Sequence, residues 1–136
     1  MILVTENPIS IDDAWKKVIR PDCGAVCLFV GTVRDHHEGK KVVELSYTAF
    51  DEMAQKEIRT ILQEAGEKWS LGEWYIAHRT GKLAPTDASV IVAVSSAHRK
   101  EAFAAGRYAI DELKKRAPIW KEEFYETGKA WISCKD

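Results

Sequence analysis

Val90-Ile91-Val92-Ala93-Val94-Ser95-Ser96-Ala97-His98-Arg99 joins an unbroken apolar run directly to a polar, basic segment. Apolar residues without alternation read as a strand covered on both faces. The serines, His98 and Arg99 then open a helix, whose N-terminal amides beside an Arg and a His suit a phosphate or carboxylate. Phe103, Gly106, Ile110, Leu113 and Ala117 read as that helix's apolar stripe, which sets Lys114 at the border of the buried face, one turn after Ile110. Lys115 and Arg116 face away, with Asp111 and Glu112 one turn before them as ion-pair partners. Pro118 disfavours helical geometry at Ala117 and has no amide hydrogen, so the chain from Ile119 leaves as an extended arm. Lys114 and Lys121 thus sit on the two arms of a turn and are placed to converge on one pocket. The plainer reading is that lysines collect at helix C-termini because the dipole favours them there.

The segments before this one supply its neighbours. Ile2 to Thr5 reads as an edge strand, and Ser10 caps a helix whose packing side is Ala14, Trp15, Val18 and Ile19. Gly24 to Val33 is again continuously apolar and reads as the central strand, running into a polar loop, residues 31–41, with Arg34 where the strand leaves the core. His36-His37 in that loop lacks the carboxylate or cysteine spacing of a metal site. Val43, Leu45 and Tyr47 alternate with Glu44 and Ser46 as a half-buried strand, and Ala54, Ile58, Ile61, Leu62, Ala65 and Trp69 mark an amphipathic helix from about Asp51 to Trp69. Trp74 to Ala77 is a strand ending in the basic pair His78-Arg79, Ala84 to Asp87 a turn, and Ala130 to Cys134 a last strand after a turn at Glu126 to Lys129.

A chain of 136 residues with 46% hydrophobic content has the size of one ordinary domain and can bury a core without staples. A formal charge of −1, with charges spread throughout, argues against nucleic-acid and membrane-surface binding. No apolar run is long enough to span a membrane and the N-terminus lacks a signal peptide's order, so a cytoplasmic location is expected. Cys23, Cys27 and Cys134 are an odd count with no CxxC pair and read as reduced thiols. If Cys23 and Cys27 share a strand, four residues at about 3.3 Å hold them roughly 13 Å apart, beyond a shared metal or disulfide. No metal or cofactor is expected. GxGxxG, GxxxxGK[ST], GxSxG and HExxH are all missing, and the acids lie mostly on polar faces.

Arg34, His98, Arg99, Lys114 and Lys121 remain, and together they describe a pocket for an anionic small molecule. Arginine donors fork onto oxyanions, and a partly desolvated lysine loses its proton more easily and can act as a base. Two other readings use the same residues or their neighbours. A non-enzymatic binding module holding a phosphorylated metabolite or an acidic tail needs the arginines alone. A persulfide carrier on Cys27 or Cys134 is disfavoured for Cys27, because an apolar run raises the cost of its thiolate.

Gly24-Ala25, Phe29-Val30-Gly31-Thr32-Val33-Arg34-Asp35, Leu45 with Tyr47, His78-Arg79 with Gly81, Ser95 to Arg99 with Ala102-Phe103, and Asp111 with Leu113 to Pro118, Trp120-Lys121-Glu122, Gly128 and Trp131 carry a resemblance over nearly the whole chain. In this order they resemble the large, catalytic subunit of molybdopterin synthase. The resemblance implies an α+β fold, a single domain over residues 1–136 with a mixed or antiparallel sheet, packed helices of α/β hammerhead type and a small additional β-subdomain. It implies transfer of two dithiolene sulfurs to cyclic pyranopterin monophosphate from the C-terminal Gly-Gly thiocarboxylate of a small ubiquitin-like subunit. Lys114 and Lys121 match the family's active-site lysines; Arg34, His98 and Arg99 match its anion-binding groups, and Phe29 is placed in the pocket wall. The family also implies a heterotetramer around a central homodimer, with active-site groups near the dimer interface. One departure is Lys135, where relatives can carry an arginine; lysine cannot fork, so its part in anion binding is weakened.

Overall fold

The run Val90 to Val94 is a central strand of its sheet. A computed structural model describes the backbone of residues 1–133 and side chains through residue 128. In it β7 (Ala88–Ser96) lies inside a four-stranded sheet ordered β1-β5-β7-β2, from β1 (Ile2–Thr5), β5 (Trp74–Arg79) and β2 (Ala25–Thr32). β1 runs parallel to β5, and β5 and β2 flank β7 antiparallel. The apolar run of β7 is buried on both faces. Ile91 and Ala93 pack with Tyr75 and Ala77 under α1 (Ile11–Val18), while Val90 and Val92 pack into the larger core with Ile58, Ile61 and Ala109 of α2 (Asp51–Lys68) and α3 (Arg99–Arg116).

A second, five-stranded sheet carries β3 (His36–His37), β4 (Lys40–Ala49), β8 (Ile119–Tyr125) and β9 (Gly128–Ser133) in that order, with β6 (Gly81–Leu83) paired to β4. The α+β class, with helices packed on a mixed sheet, is the one expected, and the second β region is no small addition but a sheet of five strands beside one of four. α3 stops at Arg116, Ala117 turns extended with ψ 135°, and Pro118 passes the chain into β8 and so from one sheet to the other. Ser10 caps α1 as its sequence indicates, its hydroxyl accepting from the Asp13 amide at 3.1 Å.

Several expectations are corrected. β2 is an edge strand, not the central one: it pairs with β7 alone, and Leu28 and Phe29 stand 39% and 40% exposed. Trp15 of α1 and Ile19 at its C-cap point outward while Ala14 and Val18 carry the packing. On α3 the buried stripe is Ala102, Ala105, Gly106, Ala109 and Leu113, so Phe103 is displaced to the surface and is 67% exposed. The polar loop contains a tight hairpin: Glu38 and Gly39 have φ of 50° and 79°, the paired positive values of a primed turn, joining His36-His37 to Lys40-Lys41. A register shift between Val42 and Glu44 turns Val43 to solvent and buries Val42. Asp111 pairs backward with Arg107 at 3.1 Å, leaving Lys115 to Glu112 at 3.5 Å. Arg116 faces α2, bonding Glu64 at 2.6 Å and Glu57 at 2.8 Å as well as Glu112. The Arg116 bond to Glu64, with that from Tyr108, holds the Glu64 carboxyl down to about 2.

Candidate active site

At the seam between the two sheets lies a cavity of about 170 Å³. β2 and the residues after it bring Phe29 and Arg34, β4 brings Leu45 and Tyr47, the end of α3 brings Lys114, and β8 brings Lys121 and Glu123. The register explains the grouping. Lys121 is opposite Tyr47 and Glu123 opposite Leu45, and directly opposed residues share a sheet face. Lys121 and Glu123, two apart, therefore follow the inward-facing Tyr47 and Leu45 toward the core. Lys114 reaches the same space from the last helical turn, where the chain breaks at Pro118, so the two arms of the turn do meet at one cavity.

The cavity holds three cationic side chains and one carboxylate. Glu123 is buried at 5% exposure and accepts from the Tyr125 hydroxyl at 2.7 Å, which pushes Tyr125 up to about 12. No sequence signal singled out this acid, because β8 reads as a charged strand; its partner on β4, buried Leu45, is what turns it inward. Arg34 Nη2 lies 3.5 Å from His37 Nδ1, and the same imidazole stands 4.0 Å from Glu123, which links the hairpin to the cavity floor.

His98 and Arg99 are not in this cavity. They begin α3 and Lys114 ends it, so fifteen residues of helix, at about 1.5 Å each, hold them roughly 22 Å apart. His98 is instead at a surface recess with Lys68, Trp69 and Glu101. The five cations expected to share one pocket are thus divided within the chain into Arg34, Lys114 and Lys121 at one end of α3 and His98 and Arg99 at the other. Lys135 lies outside the described residues.

His78, expected to form a basic pair with Arg79, is buried and uncharged. Its burial, and less strongly the positive charge of Lys114, hold it down to about 4. Arg79 instead reaches the Glu6 carbonyl at 3.2 Å and Asp87 at 3.5 Å. Cys23 precedes β2 and Cys27 lies within it; burial pushes the Cys27 thiol up, which disfavours its thiolate. A larger cleft of about 680 Å³ beside Tyr47 is lined by Glu6 and Asp51 and by no lysine or arginine, so it does not suit an anion. Among the described residues no group of His, Cys, Asp or Glu could hold a metal, and no helix is long and apolar enough to cross a membrane.

The model of the family described as "MoaE protein" matches residues 4–116. A molybdopterin synthase catalytic subunit of Bos taurus is 48% identical over 137 aligned positions, covering 100% of this chain and 72% of that protein. The crystal structure of molybdopterin synthase from Staphylococcus aureus superimposes with a TM-score of 0.91 at 39% identity, covering 96% of each chain. A protein–protein complex of subunits 1 and 2 of molybdopterin-converting factor from Helicobacter pylori shares the fold, with a TM-score of 0.76 at 19% identity over 96% of this chain and 89% of that one.

Proposed function

From the premise that this chain belongs to the MoaE family of molybdopterin synthase catalytic subunits, and so to molybdenum cofactor biosynthesis, we propose that it is the sulfurtransferase of that step. Sulfur comes from the C-terminal thiocarboxylate of a small ubiquitin-like subunit and goes to cyclic pyranopterin monophosphate. Convergence of Lys114 and Lys121 on one cavity, from opposite sides of the Pro118 break, is the observation that carries this reading. Arg34 binds the substrate's anionic groups, Phe29 walls the cavity, and Lys121 orients substrate or tail carboxylate. Lys114, partly desolvated and beside other cations, is the base or charge-stabilising group as the thiocarboxylate sulfur attacks the pterin side chain. The partner is inferred by kinship; the Helicobacter pylori relative is a two-subunit complex. The reaction belongs in the cytoplasm, in keeping with unpaired thiols at Cys23 and Cys27.

A second copy of the chain completes the site. Ligand pockets begin at roughly 300 Å³, and the cavity of one chain is about 170 Å³. Beside it, Phe29, Phe103 and Ile110 line an apolar recess that also touches Lys114. A two-fold contact that sets the Phe103 and Ile110 faces of two antiparallel α3 helices together covers this recess and, because such a contact is self-complementary, carries the partner subunit's Arg99 toward Lys114. His98 and Arg99 then bind anion in trans.

The test mixes the purified chain with cyclic pyranopterin monophosphate and a thiocarboxylated small subunit and reads molybdopterin through its oxidised fluorescent derivative. Wild type yields product, and Lys114→Ala lowers it by roughly 10²- to 10⁴-fold, the span of a general acid–base group, with partner binding nearly intact. Full turnover in Lys114→Ala would remove Lys114 from the chemistry. Complex formation without product would leave a binding module.

A further inference from the structure

The histidine pair of the β3 hairpin holds no metal, yet the fold treats its two rings differently. Successive strand residues face opposite sides. His36 is exposed and turns to Asp35 at 2.9 Å, whereas the His37 side chain is only 20% exposed and turns toward β8. Backbone bonds fix the hairpin that carries it. The Val42 amide donates to the Asp35 carbonyl at 2.7 Å, and His37 pairs with Lys40 across the Glu38-Gly39 turn.

Arg34, Glu38 and Glu123 surround the His37 ring, and their chemistry limits what each nitrogen can do. Nε2 lies 3.6 Å from a Glu38 carboxylate oxygen, which accepts. Nδ1 lies 3.5 Å from Arg34 Nη2, which only donates, and 4.0 Å from Glu123 Oε1, which accepts. A neutral ring with its hydrogen on Nε2 therefore suits Glu38 and Arg34 together. Once Nδ1 also takes a proton its lone pair is gone, so it can serve Glu123 and no longer Arg34. The other charged or titratable groups on the packed elements are Lys40 of β4, 5.4 Å from the Tyr125 ring centroid, and Tyr125 of β8, which donates to Glu123 at 2.7 Å. Lys114 and Lys121 share the cavity with Arg34 and Glu123.

Resting on the reading of Arg34 as the anion-binding group, we propose that His37 is its positioning residue: the neutral Nδ1 holds the guanidinium at the cavity, and protonation turns that nitrogen to Glu123 and releases the arginine. A neutral acceptor holds a guanidinium without cancelling its charge, as a carboxylate in the same place would. An imidazolium there repels it. Arg34 lines the cavity and His37 does not, so His37 acts on an anion through Arg34.

His37→Asn sets an amide oxygen near the Nδ1 position and does not titrate, whereas His37→Leu has no acceptor. In the reconstituted reaction, KM for cyclic pyranopterin monophosphate is read from about pH 5 to 8, the span over which imidazoles change charge. Dividing wild-type KM by that of His37→Asn at each pH cancels the titration of every other group. This ratio is expected to lie near one at the alkaline end and to rise on acidification. His37→Leu should show a KM raised about 3- to 10-fold at the alkaline end, the worth of one hydrogen bond, with kcat little changed. A ratio that stays flat or falls on acidification overturns the proposal; a fall would mean that the added charge draws the anion in while Arg34 keeps its place. An alkaline KM in His37→Leu equal to that of wild type overturns it as well. Should either variant not fold, the imidazole nitrogen shifts of the wild-type chain alone decide. Nδ1 is expected bare and Nε2 protonated at the alkaline end, and the reverse tautomer removes the Arg34 contact. If wild type makes no product the sulfur-transfer reading fails, while those shifts still decide the contact.

Discussion

His78 couples its burial to stability. In the unfolded chain this histidine titrates near 6.5, and in the fold near 4. Between those values the unfolded state binds a proton that the folded state refuses, so stability rises with pH across the window and is lost on acidification. The full loss is about 3 kcal/mol, at about 1.4 kcal/mol for each pH unit that separates the two titrations. Urea midpoints measured from pH 7 to pH 4 should fall in wild type and fall less steeply in His78→Leu; parallel curves would remove His78 as the cause. His78-Arg79 reads as a basic pair in sequence because charge type is all that a sequence displays. Burial against Tyr47, on a strand flanked by β1 and β7, is what makes the same imidazole neutral. Glu123 is the converse case, an acid on a charged strand that its register with Leu45 carries inward.

α3 shows how a period can be right and a face wrong. Phe103, Gly106, Ile110 and Leu113 do recur at helical spacing, yet the buried stripe is offset toward Ala102, Ala105 and Ala109. Small residues let the helix approach the sheet closely, and the approach is tightest at Gly106, where an added Cβ would lie 2.8 Å from Cys27 Sγ. Gly106→Ala alone is therefore expected to destabilise by about 1–3 kcal/mol through overpacking. In a Cys27→Ala background the sulfur is gone, and the same change should become stabilising by up to about 1 kcal/mol, the helix-propensity gain. A double-mutant cycle in urea reads the coupling, and additive effects would show that the two elements do not touch this way. β2 carries the matching lesson: an unbroken apolar run marks a strand covered on both faces without saying by what. Here Leu28 and Phe29 are exposed in the single chain, as is Phe103 on the neighbouring helix.

At the scale of the molecule, the length of α3 divides the expected anion-binding groups, and the proposed dimer rejoins them. Chains carrying Lys114→Ala and chains carrying Arg99→Ala should each be inactive alone. Mixed and allowed to exchange, random pairing makes half the dimers mixed, and each mixed dimer keeps one intact site. Activity should then return to about a quarter of wild type. No recovery, with exchange demonstrated, would place Lys114 and Arg99 in the same chain's site. Phe103→Glu is expected to give a monomer by light scattering and to lose turnover with Lys114 and Lys121 untouched. By itself the sequence determined the three helices, most of the longer strands and their order, though not the β3–β4 hairpin or β6: the β7 run, the Ser10 cap, the α2 period and the Pro118 break are local, written in side-chain periodicity and backbone restriction. The break also indicated that Lys114 and Lys121 could meet. Tertiary structure alone decided which apolar strand is central, which helix face is buried, that Glu123 turns inward and that His78 is neutral. Each of these depends on what packs against the element, and apolar periodicity carries no record of the neighbour.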